Sequence, residues 1–358
     1  MRPTSCLLLL LAVFAAAGCA FQGDRARTAM CPPGETCSDL TPDGLAFRGA
    51  PLSGFAGSNT LALAVGGWAT IEVEGSGTRA ILDRFAATAE PASAFAVSDI
   101  RPPRLTLHAL GPATGLLRVS DSVTGELFDR VSISAAPIDH VTLQPELLFV
   151  LDPRYNERAP VLLRGTRGQL VVRLQAAGDQ VLADERMTVS VPSGDTVRQT
   201  AWDLAEVSTT NDHTVLTVQS GASRVDVTVR AVDRADTIEL MTPAATSAPI
   251  TVDATASLCF AALSGADLVT SLEWRFVGSA GVTVRPGDTA GALMPASCIE
   301  VDGVTRGPAT VEASLGTTSL TVTLDVTNPA PARAALVAPG PRSAPRSLVL
   351  GERARSMD

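Results

Sequence analysis

Six cysteine thiols carry the most distinctive chemistry in this 358-residue sequence. Four of them, Cys31, Cys37, Cys259 and Cys298, lie beyond the N-terminal segment. An even number of thiols in an exported protein predicts two disulfide bonds, with three pairings open. The local pairing, Cys31 with Cys37 and Cys259 with Cys298, is the simplest. Zinc binding is disfavoured, because five residues separate Cys31 from Cys37 and no histidine lies near them.

The N-terminal segment has the three-part pattern of an export signal. Arg2 is the only charge in the first 20 residues, residues 7–13 are apolar, and residues 15–18 are small. The apolar part is shorter than the roughly 20 residues that a membrane-spanning helix needs. We therefore expect residues 1–18 to be removed as a signal peptide.

The sequence Ala16-Ala17-Gly18-Cys19 resembles the lipobox of bacterial lipoproteins, in which small residues precede a lipidated cysteine. Ala16 departs from the usual leucine. The resemblance implies a diacylglycerol thioether on Cys19 and an acyl chain on its amine, and two or more chains anchor a protein stably. Position 20 is alanine and not the aspartate that often retains lipoproteins in the inner membrane. The resemblance therefore implies that the protein is located at the outer membrane or cell surface of a Gram-negative bacterium. Cleavage by an ordinary signal peptidase is the alternative.

The amino-acid composition excludes one class of binding partner and favours one class of fold. A net charge of −9 gives no electrostatic basis for binding nucleic acid. Charged residues make up 18% of the chain and aromatic residues 4%. Abundant threonine, serine and valine favour strands joined by turns.

Short runs of alternating apolar and polar residues recur beyond Leu45. In residues 69–73, Ile71 and Val73 would share one face of a strand. Several short strands at regular spacing predict an all-β sandwich or barrel. Only residues 80–90 could form a short helix. Similar alternating runs lie at 104–108, 169–174, 214–218 and 320–326.

A repeat divides the chain. GPATGLLRVSDSVTGELFDRVSIS at 111–134 and RGPATVEASLGTTSLTVTLDV at 306–326 both place Gly-Pro-Ala-Thr before a strand, a glycine turn and a second strand. SGASRVDVTVRAV at 220–232 closes the middle of the chain in a related way. A repeat of about ninety residues is typical of a domain array. The predicted units are 45–136, 137–233 and 234–327.

The units resemble bacterial immunoglobulin-like (Big-type) domains in the Gly-x-Ala-x strand and the Val-Thr-Val-type strand that follows it. The resemblance covers most of residues 45–327 and implies tandem immunoglobulin-like β-sandwiches. In the third unit, Cys259, Trp274 and Cys298 occur in the order Cys–Trp–Cys of immunoglobulin domains. Because Cys298 precedes the closing strands, we expect its disulfide to join neighbouring strands or a strand and a loop. Trp274 should face inward with Leu272 and Phe276.

The flanking segments differ from these units. Residues 19–44 are rich in Pro, Gly, Thr and Asp, which predicts a lipidated tether with a small Cys31–Cys37 loop. Residues 328–358 are dominated by Pro, Ala and Arg, which predicts a disordered tail.

Other candidate sites are weak. Gly75–Ala80 matches a dinucleotide fingerprint, but no parallel βαβ unit surrounds it. One histidine per unit or junction does not converge on a catalytic or metal site. Asp121, Asp129, Asp152 and Asp233 fall at predicted turns, where aspartate is expected. Carboxylates at the junctions could bind calcium, although turn acids are the plainer interpretation. The tryptophans could form a sugar platform, although core anchors are favoured. The histidines are His108, His140 and His213. The junction carboxylates are Asp139, Asp233 and Asp236, and the tryptophans are Trp68, Trp202 and Trp274.

The sequence thus predicts a non-catalytic envelope or surface lipoprotein without cofactors, a structural or adhesive rod. Its expected partners are the membrane, through the lipid on Cys19, and a protein or glycan ligand. A carbohydrate-binding or envelope-assembly accessory protein is the alternative. An enzyme, which would need a deep junction site of Asp and Arg residues, comes third.

Overall fold

The computed structural model describes residues 21–22, 31, 33–38, 44–49, 60–75, 84–145, 155, 158–241, 250–252, 255–286, 288–289, 292–293 and 296–327. Within these ranges the regular structure is β-strand and no α-helix occurs. Among the same residues, none forms a helix long and apolar enough to span a membrane. The predicted signal peptide, Cys19 and the tail from residue 328 lie outside the described residues.

The first unit is a sandwich of two sheets. One has the strand order β1-β2-β4-β7-β6 and the other β3-β9-β8-β5. The strands are β1 (Phe21–Gln22), β2 (Leu45–Arg48), β3 (Thr60–Ala64), β4 (Trp68–Gly75), β5 (Ala86–Glu90), β6 (Phe95–Arg101), β7 (Arg104–Ala109), β8 (Ala113–Ser120) and β9 (Leu127–Ala136).

The second unit repeats this plan. Its sheets have the orders β10-β12-β16-β15, with β13 added to β12, and β14-β17-β18-β11. The strands are β10 (His140–Pro145), β11 (Pro160–Leu163), β12 (Gly168–Gln175), β13 (Val181–Leu182), β14 (Thr188–Ser190), β15 (Thr196–Ala201), β16 (Leu204–Ser208), β17 (His213–Ser220) and β18 (Ser223–Val232).

The third unit again has two sheets. Strands β19, β21, β27 and β24 are neighbours in one, and the other has the order β20-β29-β28-β23. The strands are β19 (Thr237–Leu240), β20 (Ile250–Thr251), β21 (Thr255–Ser264), β22 (Asp267–Thr270), β23 (Arg275–Gly278), β24 (Val282–Pro286), β25 (Asp288–Thr289), β26 (Ala292–Leu293), β27 (Cys298–Gly303), β28 (Gly307–Leu315) and β29 (Thr318–Thr327).

The same topology therefore occurs three times. In each unit an early strand, β2, β10 or β19, pairs antiparallel in one sheet. The next strand crosses to the other sheet and runs parallel to the unit's last strand. The parallel pairs are β3–β9, β11–β18 and β20–β29. Each unit closes with an antiparallel hairpin, β8–β9, β17–β18 or β28–β29. The chain is thus all-β, an array of tandem immunoglobulin-like sandwiches, which confirms the predicted fold class.

Alternation along each strand builds the cores. On β4, Ile71 and Val73 are buried while Thr70 and Glu72 are partly exposed, as predicted. Fully burying one such aliphatic side chain stabilises by about 1.5–3 kcal/mol. One apolar core runs through the first and second units, and a second core fills the third unit.

The short helix expected within residues 80–90 is wrong where the structure describes it. Residues 86–90 form strand β5, which pairs with β8. Ala87 and Ala89 are buried and alternate with exposed Thr88 and Glu90. Pairing and burial outweigh the high helix propensity of alanine, which is a weak bias that tertiary contacts override.

The described residues within 19–44 belong to the first sandwich and do not form a free tether. Phe21 pairs with Phe47 across β1 and β2. The N–H of Leu127 donates to the carbonyl of Thr36 at 2.8 Å, and the N–H of Ser38 donates to the carbonyl of Leu127 at 2.9 Å.

Candidate functional site: the two domain junctions

The structure forms two disulfides between cysteines that are near in sequence. Cys31 is bonded to Cys37, and Cys259 is bonded to Cys298. Cys259 and Cys298 lie directly opposite each other on the neighbouring strands β21 and β27. The bond therefore joins two strands of one sheet, and it does not cross between the sheets as in antibody domains.

The Cys31–Cys37 loop is held against the first unit by an ion pair. Arg118 on β8 contacts both carboxylate oxygens of Glu35 at 2.5 Å. The hydrogen bonds from Arg118 lower the pKa of Glu35 below its ordinary value. The loop is thus fixed by side chains as well as by the main-chain bonds to Leu127.

An aromatic cluster accompanies the third unit's core. Leu272, Trp274 and Phe276 are partly buried and alternate with exposed residues, as the inward orientation predicted. The ring of Phe276 stacks on Trp274 with centroids 5.8 Å apart and lies 5.6 Å from Phe260. Trp274 packs on the core without being fully buried.

The first junction joins units one and two through their backbones. Ala183, which follows β13, pairs with the free edge of β3. The N–H of Ala64 donates to the Ala183 carbonyl at 3.0 Å, and the N–H of Ala183 donates to the Ala62 carbonyl at 2.9 Å. The second unit thus extends a sheet of the first.

Asp184 is the hydrogen-bonding centre of this junction. Its side chain is buried, and its carboxylate accepts hydrogen bonds from the N–H of Trp68 at 3.0 Å and the hydroxyl of Ser220 at 2.6 Å. Glu185 accepts from both the N–H and the hydroxyl of Thr70, at 2.8 and 2.7 Å. These bonds tie the two units together, because breaking them leaves polar groups at the junction unsatisfied.

A three-layer stack covers the edge of the same junction. The ring of His108 lies 3.8 Å from that of Trp68 at an interplanar angle of 7°. The guanidinium carbon of Arg186, from the second unit, lies 3.7 Å from the Trp68 ring centroid. Two groups this close to one ring must occupy opposite faces, so both faces of Trp68 are covered. Trp68 is therefore a junction residue, and neither a core anchor nor a free sugar platform.

The second junction joins units two and three in one nine-stranded sheet. Strand β11 runs parallel to β18 of its own unit and, on its other edge, parallel to β22 of the third unit. The hydroxyl of Thr270 on β22 donates to the carbonyl of Gln169 at 2.8 Å and accepts from its N–H at 3.1 Å. Main-chain and side-chain bonds therefore cross this junction too.

Both junctions follow one design. The segment that follows β12 or β21 in the following unit covers the free edge of the crossing strand of the preceding unit. Ala183, after β13, covers β3, and strand β22 covers β11. An uncovered edge presents unpaired main-chain groups that invite pairing with other chains. The pairing across each junction covers that edge and connects the two units through their main chains.

The junction aspartates proposed as calcium ligands do not converge. Asp139 contacts His140 at 3.1 Å, Asp233 contacts Arg164 at 3.2 Å, and Asp236 accepts from the N–H of Gly265 at 2.9 Å. No group of three or more metal-ligating side chains occurs among the described residues.

Two aspartates that the sequence predicts at turns, Asp121 and Asp129, accept main-chain hydrogen bonds. Asp121 accepts from the N–H groups of Val123 and Thr124 in a turn, as predicted. Asp129 is not a turn residue: it lies buried on β9, and its carboxylate accepts from the N–H of Leu45 at 2.7 Å.

The remaining candidates lie on strands and turns. His140 begins β10 and is partly exposed, and His213 begins β17 and is exposed. Trp202 is partly buried in the turn between β15 and β16. Gly75 ends β4, whose two neighbours, β2 and β7, are antiparallel, which does not fit the βαβ unit of a dinucleotide site. Residues 76–80 and Asp152 lie outside the described residues.

The residues that build the junctions had no distinctive signal in the sequence. Asp184, Glu185 and Arg186 are consecutive charged residues between two strands, a pattern typical of a solvated turn. Their role depends on contacts with Trp68 and Thr70, more than a hundred positions away.

No family model matches the chain, and no curated protein sequence matches it. Among solved structures, domains 4–9 of the surface layer protein SbsC match 79% of the chain at 14% identity with a TM-score of 0.27. The Escherichia coli adhesin FdeC matches 74% of the chain at 15% identity with a TM-score of 0.24. Invasin, a bacterial integrin-binding protein, matches 82% of the chain at 10% identity with a TM-score of 0.21.

This chain spans 47% of that SbsC structure, 94% of the FdeC structure and 60% of the invasin structure. An endo-fucoidan hydrolase of glycoside hydrolase family 107 is also among the similar structures. At these scores the likeness does not extend beyond fold to activity, since one fold hosts many functions.

Proposed function

We propose that this protein is an exported surface lipoprotein whose three immunoglobulin-like units form a stiff rod with a structural or adhesive role and no catalytic activity. The observation that carries the proposal is the pair of junctions. Each is crossed by main-chain hydrogen bonds, and the apolar core is continuous through the first junction. Units joined in this way do not swing independently, whereas small, polar interfaces between domains permit relative motion.

The position of Cys19 supports an anchor close to the rod. Only Ala20 separates Cys19 from Phe21, the first residue of β1. Two residues span about 7 Å at most. A lipid on Cys19 would therefore hold the first unit close to the membrane.

Mass spectrometry of the mature N-terminus tests the anchor, together with fractionation of a Cys19→Ala variant. We expect a triacylated Cys19 in the membrane fraction and release of the variant from membranes. An unmodified N-terminus would refute the anchor and leave a secreted array of sandwiches. Cys31→Ala is the matched control, because it removes a thiol of the disulfide loop and should leave the protein with the membranes.

A further inference from the structure

A groove of about 520 Å³ lies at the β6–β7 hairpin of the first unit. Its volume falls within the range of about 300–1,000 Å³ that small-ligand sites occupy. It is lined by side chains of β4, β6 and β7 and by the two-residue turn of the hairpin. These residues are Thr70, Glu72, Asp99, Arg101, Pro102, Pro103, Arg104 and Thr106.

Two arginines oppose each other across this hairpin. Arg101 and Arg104 are directly paired in the β6–β7 register. Their ion pairs are long, 3.9 Å from Arg101 to Asp99 and 3.6 Å from Arg104 to Glu72, and their side chains are 85% and 64% exposed. Like charges directly opposite each other destabilise a sheet. The groove therefore holds two cations whose repulsion a bound anion would relieve.

The backbone beneath these side chains is strained. Asp99 has a φ of 46°, which residues other than glycine rarely adopt. The register shifts between Ser98 and Arg101, which marks a bulge in β6. Bulges re-aim side chains, and strain of this kind clusters at binding sites. The strain thus falls at the residues that line the groove.

The rest of the groove suits a molecule that is both polar and apolar. Pro102 and Pro103 form an apolar turn, fixed by a hydrogen bond of 2.8 Å from the N–H of Val73 to the Pro103 carbonyl. The neighbouring Ile100 is 38% exposed. Thr70, at the opposite end, is held by Glu185 of the second unit. The groove thus has a positioned frame with apolar and hydroxyl-bearing sides.

We propose that this groove binds an acidic saccharide, a sugar chain that carries uronic-acid carboxylates. Guanidinium groups recognise carboxylates through paired, charge-assisted hydrogen bonds, which assigns the sugar carboxylate to Arg101 and Arg104. The carboxylates of Asp99 and Glu72 accept hydrogen bonds from sugar hydroxyls.

Two other ligand classes fit less well. A metal cation would face the guanidinium groups of Arg101 and Arg104, which repel it. An acidic peptide offers carboxylates but lacks the hydroxyl groups that Asp99 and Glu72 would bind. The proposal does not depend on the lipid anchor or on the stiffness of the rod.

Calorimetric titration of the purified protein with tetragalacturonate tests this site, with neutral tetragalactose and tetraglutamate as comparison ligands. We expect binding of tetragalacturonate alone, weakened by added salt. Arg101→Gln and Arg104→Gln should each raise the Kd about tenfold or more. Arg48→Gln is the matched control, since Arg48 lies on the neighbouring strand β2, paired with Glu74 at 3.2 Å and outside the groove.

Several results would overturn the proposal. These are no binding of tetragalacturonate by folded wild-type protein, equal binding of tetragalactose or tetraglutamate, or an equal loss of affinity in Arg48→Gln. Circular dichroism of each variant separates a lost contact from a lost fold. Failure here would leave the rod and its anchor untouched, because those depend on the junctions and on Cys19.

Discussion

At the scale of single residues, the stacked pair of His108 and Trp68 makes the stability of the first junction depend on pH. The imidazole of His108 stacks on one face of the Trp68 ring, and the guanidinium group of Arg186 covers the other face of the Trp68 ring. Burial lowers the pKa of His108, and the nearby positive charge of Arg186 lowers it further, while Gly66 and Asp184 act in the opposite direction. The neutral imidazole is therefore the form that the folded junction favours.

The junction should consequently loosen in mild acid. Because the folded pKa lies below the unfolded value of about 6.5, stability is full above that value and is lost as the pH falls towards the folded pKa. We expect the thermal midpoint to drop by a few degrees between about pH 7.5 and about pH 5.5.

The variant His108→Phe isolates this effect, because it keeps the stack and removes the titration. Its midpoint should change less over the same pH range. His213→Phe, at an exposed strand position, should respond like the wild type. An acid response that persists in His108→Phe would contradict this account.

At the scale of elements, the turn between β17 and β18 shows how closely the first two units approach. A Cβ added to Gly221 would lie 3.0 Å from the Cα of Gly66 and 3.1 Å from the Val65 carbonyl oxygen. Both glycines have positive φ, 55° for Gly221 and 83° for Gly66. The units therefore meet backbone to backbone at this point.

Gly221→Ala should force the units apart. It incurs both the left-handed backbone penalty, about 1–2 kcal/mol, and the contact with Gly66. Gly265→Ala is the matched control, since its φ is 61° and its Cβ would meet nothing within 4 Å. We expect Gly221→Ala to lower the free energy of unfolding by about 1–3 kcal/mol more than the control does. Equal losses would mean that the contact does not constrain the junction.

The disulfide between β21 and β27 stabilises the third unit by closing a loop. Its sequence separation of 39 residues predicts a contribution of about 3–4 kcal/mol from the reduced entropy of the unfolded chain. The Cys31–Cys37 bond closes 6 residues, which predicts about 2 kcal/mol.

Urea unfolding of the two paired variants, Cys259→Ala/Cys298→Ala and Cys31→Ala/Cys37→Ala, compares these contributions directly. The first should lose more stability than the second. The reverse order would show that the docking of the small loop, through Glu35 and Arg118, outweighs loop entropy.

At the scale of the whole molecule, the two junctions predict an extended particle. The last strand of each unit, β9, β18 or β29, has 10 residues. At about 3.3 Å per residue each unit is about 33 Å long, and three units end to end reach about 100 Å.

Small-angle X-ray scattering of the chain from residue 20 onward, with its disulfides formed, measures this extension. We expect a radius of gyration near 30 Å, compared with about 20 Å for a compact domain of this length. Thr270→Val removes the hydroxyl that bonds Gln169 at the second junction and should broaden the distribution of distances. Thr228→Val, at an exposed position on β18, is its control. A compact wild-type particle would refute the rod.

The sequence by itself determined the features that depend on near neighbours. Alternation along β4 placed Ile71 and Val73 inward, because successive side chains of a strand point to opposite faces. The repeated Gly-Pro-Ala-Thr pattern predicted the closing hairpins of the first and third units. Both disulfides join cysteines that are close in the chain.

Only the tertiary structure decided the junctions. The N–H of Trp68 meets Asp184 across 116 positions, and Gln169 meets Thr270 across 101. Pairing at a sheet edge depends on which strand arrives there, and burial depends on which unit packs against it. For the same reason residues 86–90 became a strand, and Asp129 became a buried acceptor. Local propensity and spacing carry no information about such distant partners, so the contacts that join the units could not be predicted from them.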